Sequence, residues 1–179
     1  MRRFLHQHQK TITFLIGCVL IPMLLFCAFL WTGFSERNLS GLLSEKAFFP
    51  FAHLGCLFML MWLDYTLWRI SDHAESQKRR MVQIVIMSVL IILALFITWQ
   101  TDSPLLQSVH IFLSYAAFVY MNLMFYRYCS SYVNERNIYL CIAATAFLIS
   151  LGAGEVLGVS EVLYGAGCSV LLTLIALKN

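Results

Sequence analysis

Two histidines stand inside apolar sequence, His53 in "AFFPFAHLGCLF" and His110 in "SVHIFLSYAAF". An imidazole in hydrocarbon needs a hydrogen-bond partner, since leaving such a group unpaired costs about 2 kcal/mol or more. Each lies roughly six residues past the start of its apolar run, ~9 Å deep at the rise of a helix. The two runs start on the same side of a membrane, so the rings sit at matching depth. Glu155 and Glu161 bracket a turn on that side, and Glu45 and Asp102 stand at its rim. His53, His110, Glu155, Glu161, Glu45 and Asp102 therefore form one candidate polar cluster.

Three chemistries fit this cluster, and they remain open at this point. The histidines can hydrogen-bond neighbouring helices and lock a bundle that has no water to satisfy it. They can serve as the axial pair of a haem b, which needs two imidazoles at equal depth. With a glutamate they can hold a divalent metal and support a metal-dependent membrane enzyme. No phosphate loop, nucleophile elbow or zinc-protease motif occurs in the chain. The expected mode of action is therefore binding of membrane lipids or of another membrane protein, without catalysis and without a cofactor.

Asp64 is a separate ionisable group, near the far end of the second apolar run. Arg69 follows it closely and Arg127 ends another run at the same level, so an ion pair of Asp64 with one of them is expected. Tyr65, Trp68, Tyr126, Tyr128 and Tyr132 cluster at this level as an interfacial aromatic belt. The six cysteines contain no C-x-x-C pair, which argues against a thiol oxidoreductase. They are expected to be free and apolar in character, with juxtamembrane Cys129 the candidate for acylation.

The elements that must position these groups follow from hydropathy. Of 179 residues, 60% are hydrophobic and 12% charged, and the mean hydropathy is +0.78. A soluble domain carries about a quarter charged residues. The apolar residues fall into six runs long enough for helices that cross a ~30 Å core: 11–32, 47–68, 82–99, 104–126, 138–153 and 157–177. The fold class is all-α, a single six-helix transmembrane domain over residues 1–179. The first run is longer than a signal-peptide core and no A-x-A-like site follows it, so it is expected to stay as a helix.

Basic residues set the expected orientation. All Lys and Arg except Arg37 and Lys46 fall on the side that also holds both termini, which places the termini in the cytoplasm. The net charge of +3 thus marks a face near anionic headgroups and gives no reason to expect nucleic acid. "SDHAESQKRR", between the second and third runs, reads as a topology anchor. Asn38-Leu39-Ser40 is a glycosylation sequon that matters only in a eukaryotic secretory pathway. Glycines gather in "SLGAGEVLGVSEVLYGAGCS", so the sixth run is expected to pack closely against its neighbours.

Two segments resemble a known family. "LLSEKAFFPFAHLGCLF" is similar to the "I-S-[DE]…P…F" pattern of the damage-regulated autophagy modulator (DRAM)/Frag/Sfk group. "SVHIFLSYAAFVYMNLMFY" is similar to its "VH-x-x-G-A" helix. Ser44, Glu45, Pro50 and His110 match; Leu113–Ser114 replace the glycine that follows the histidine, and the "SDTGT" tract is reduced to Ser44-Glu45. The resemblance implies a six-span protein of lysosome, Golgi or plasma membrane acting in lipid-anchor remodelling, phosphoinositide signalling or autophagy. It supplies no enzyme mechanism.

Overall fold

The computed structural model describes residues 2–32, 41, 49–71, 77–97 and 103–178. Glu45, Asp102, Ser44 and the sequon at Asn38 lie outside the described residues. Helix α1 (Arg2–Leu15) runs through a π turn (Ile16–Leu20) into α2 (Ile21–Thr32). Then come α3 (Phe49–Ser71), α4 (Gln77–Phe96), α5 (Pro104–Cys129), α6 (Val133–Ala153) and α7 (Gly158–Lys178). With α1–α2 as one unit, six helices among the described residues are long and apolar enough to cross a membrane.

Cross-helix bonds give the packing direction. Asp64 meets Ser88 while His53 meets the carbonyl of Leu95, so α3 and α4 are antiparallel. Ser150 meets Ser160 and Lys178 meets Glu135, which does the same for α6 and α7. Ser169 bonds the carbonyl of Gly17, and Gly165 lies against Leu25, so α7 also runs against the first span. The bundle is up-and-down throughout. One end holds the helix ends that carry Arg69, Lys78, Arg79, Arg80, Arg127 and Arg136; the other holds both membrane-level histidines and the α6–α7 turn. That turn closes on Gly154, whose φ of 75° lies where side chains are disfavoured.

The surface is that of a multi-pass integral membrane protein. Phe51, Met61, Leu105 and Phe112 are each more than 70% exposed, which in water would be an aggregation surface and in lipid is ordinary. Helix α7 is the exception: 44% of its most apolar stretch is buried, against 11% for α6. It touches the first span, α3 and α6. The main core lies toward the basic end, where Leu67, Met87, Phe125, Tyr128, Leu172 and Ile175 interlock.

Close contact of α7 with the first span follows from Pro22. Proline has no N–H, so the helix cannot close its usual bond at that position. The backbone shifts to π spacing: Ile21 N–H bonds Ile16 O, and the next bond in that register would need the missing N–H of Pro22. Gly17 O is left over, and Ser169 Oγ donates to it at 2.8 Å. The approach is possible because residue 17 is glycine. A Cβ there would lie 1.9 Å from Thr173 Oγ1.

The apolar runs locate each span but not its ends. Helix α4 starts at Gln77 instead of Val82, and α6 at Val133 instead of Ile138. Backbone bonding continues past the apolar stretch, so Lys78–Arg80 and Glu135 are helical. Tyr128, expected in the aromatic belt, is 2% exposed, with the Arg80 guanidinium 5.0 Å above its ring. Trp68 and Tyr126 are 39% and 45% exposed, as a belt requires. All six cysteines are free. Cys129 has no exposed surface, which removes it as an acylation site in this packing.

Candidate functional site

Helix α4 ends at Phe96, and a helix end leaves its last four carbonyls without helical donors. Leu93 O is taken by Ile97 N–H at 3.0 Å. His53, from α3, brings Nε2 to 3.0 Å from Leu95 O. His110, from α5, brings Nδ1 to 2.5 Å from Ile97 O. A carbonyl only accepts, so His53 carries its proton on Nε2 and His110 on Nδ1. The remaining nitrogen of His110 lies 3.5 Å from Ser114 Oγ, close enough for a weak hydroxyl bond. Both rings are buried, and His53 packs tilted against Phe96 with centroids 5.9 Å apart. Two imidazoles from the flanking helices thus cap the same helix end.

The two histidines reach the same end of α4, each at its own carbonyl, Leu95 O and Ile97 O. Glu155 is exposed in the α6–α7 turn, and Glu161 is half-buried in the first turn of α7. Among the described residues, no group of three His, Cys, Asp or Glu side chains is arranged to hold a metal ion. Of the residues shared with the DRAM/Frag/Sfk pattern, Pro50 stands in the first turn of α3 and His110 caps α4.

Asp64 behaves differently from expectation. Its two carboxylate oxygens lie 2.8 and 2.9 Å from Ser88 Oγ on α4, and among the described residues it forms no ion pair with Arg69 or Arg127. Among the described residues at this end, Lys178 pairs with Glu135, tying α7 to α6. Around Asp64 the α3–α4 contact opens into a groove of about 380 Å³ lined by Tyr65, Trp68, Met81, Ile84, Val85 and Val89. Trp68, Met81, Val85 and Val89 are 38–56% exposed on the bundle's outer wall, so the groove faces the bilayer.

No protein-family model, curated protein or solved structure matches this chain.

A second groove, about 440 Å³, flanks the other side of α3. It lies between α1 and α3, with Gln9, Thr13, Trp62 and Tyr65 in its walls. Tyr65 Oη stands 3.4 Å from both Gln9 Nε2 and Thr13 Oγ1. Trp62 Nε1 is buried there with no partner among the described residues.

The sequence reading missed Asn122. Its Oδ1 accepts from Tyr139 Oη at 2.6 Å and Tyr164 Oη at 3.0 Å, joining α5, α6 and α7, while its Nδ2 donates to Phe118 O at 2.8 Å. The signal was present: an amide in the middle of "VYMNLMF" needs partners, and tyrosines on the next two spans can supply them.

Proposed function

We propose that the chain is a non-catalytic membrane protein that binds a lipid or another amphiphile from the side, in the groove between α3 and α4. One observation carries the reading: a polar group, Asp64, sits in the wall of an otherwise apolar groove that opens toward hydrocarbon. Sites for small ligands combine such walls with a few polar anchors, and they begin at volumes of about 300 Å³. The histidines support it indirectly. Both donate to carbonyls at the far end of α4, the helix that supplies one wall of the groove. The resemblance to the DRAM/Frag/Sfk group points toward lipid as well, and the basic end supports cytoplasmic termini.

Native mass spectrometry of protein released from nonionic micelles tests this. The wild type is expected to retain one lipid-sized adduct. Val85→Trp, at a 56% exposed position in the groove wall, should fill the groove and lose the adduct without unfolding. Equal retention by the two proteins, or retention of another membrane protein in place of lipid, would reject the reading.

A further inference from the structure

The groove wall holds a single charged group. Ser88 Oγ lies within 2.9 Å of both Asp64 oxygens and also 2.8 Å from Ile84 O. A hydroxyl has one proton to give, whereas a carboxylate presents about four acceptor positions. Ser88 therefore fills at most one of them. Tyr65 turns its hydroxyl toward Gln9 and Thr13, and neither Arg69 nor Arg127 pairs with the carboxylate. A carboxylate at this depth calls for a counter-charge.

We infer that the groove takes a hydrophobic monocation, with an alkylammonium or quaternary ammonium group against Asp64 and its chain along Ile84, Val85 and Val89. This rests on the reading of the groove as an amphiphile site and names the class of head that fits it. Tyr65 and Trp68, which complete the wall, are the ring types whose faces attract ammonium groups. A hard divalent metal ion wants about six oxygen ligands, and the wall offers those of Asp64 and Ser88. An anionic head would be repelled by Asp64. Lys78, Arg79 and Arg80 begin α4 at the same end, so a cation approaching through water meets like charge. Its route is lateral, out of the bilayer and past the exposed Met81 and Val85.

The test uses the full chain in dodecyl maltoside, titrated with dodecyltrimethylammonium, dodecanol and dodecanoate, with bound molecules counted by native mass spectrometry. Saturable binding of one dodecyltrimethylammonium is expected, with the neutral and anionic chains weaker. Asp64→Asn should weaken the cation about tenfold or more, the scale of losing a charged contact, and Val85→Trp should remove it. If the three probes bind alike, or if cation binding survives Asp64→Asn, the inference is overturned. The amphiphile reading still stands in that case, provided Val85→Trp removes the probes. If no probe saturates on the wild type, both fall. Should Asp64→Asn not fold, the preference of the wild type among the three chains decides by itself.

Discussion

His53 and His110 do a task that backbone chemistry sets: they donate to carbonyls that the end of α4 cannot satisfy. The consequence can be measured. His110→Leu should lower stability by about 0.6–2 kcal/mol, the range for interhelical hydrogen bonds in membranes. His110→Gln should lose less than His110→Leu, because its amide N–H, although set one atom farther out than Nδ1, can still donate to a carbonyl at the end of α4. Equilibrium unfolding in mixed micelles reads both. Were the ring a haem or metal ligand, glutamine would fail as badly as leucine. The need for a partner was legible in the sequence for both histidines and for Asp64, but the partner was not. Arg69 follows Asp64 by five residues, which on a helix points it about 140° away. Ser88, inside the apolar run "QIVIMSVLII", faces it from the next helix. A contact between helices depends on their relative rotation, and that is not written in either run alone.

At the scale of elements, the first span shows how one residue reshapes a helix pair. Pro22 forces the π turn, the turn frees Gly17 O, and Ser169 takes it up. Ser169→Ala should therefore cost about 1 kcal/mol, the usual net value of such a bond. The loss should shrink in a Pro22→Ala background, where a backbone N–H is restored. Equal losses in the two backgrounds would break the link between proline and serine. Gly17→Ala should cost about 1–3 kcal/mol through overpacking against Thr173, and Thr173→Ala should recover part of it. A double-mutant cycle by unfolding in mixed micelles measures the recovery. The glycines of the sixth run did announce a tightly packed helix, since small residues matter where backbones must approach. The π turn was not read from the sequence, although proline inside an apolar run was its visible cause.

For the whole molecule, apolar run length was enough to give six spans, because in a bilayer every backbone polar group must be satisfied within its own helix. Lateral arrangement was not legible, as nearly every helix is apolar all round and hydropathy does not say which face meets a neighbour. Sidedness follows from charge as a proposal with its own check. Cysteines placed at Lys78 and Glu135 should label from the cytoplasmic side, and those at Asn38 and Asp102 from the opposite side. Labelling of Lys78 and Asp102 from one side would overturn the six-span topology. The central claim, lateral binding beside α3, is tested most directly by cross-linking a photoreactive single-chain amphiphile to the protein in a bilayer and mapping the adducts. They are expected to concentrate on Trp68, Met81, Val85 and Val89, and to fall away in Val85→Trp. Adducts spread evenly onto the outer wall of α6, at Leu140, Phe147 and Leu148, would contradict the account.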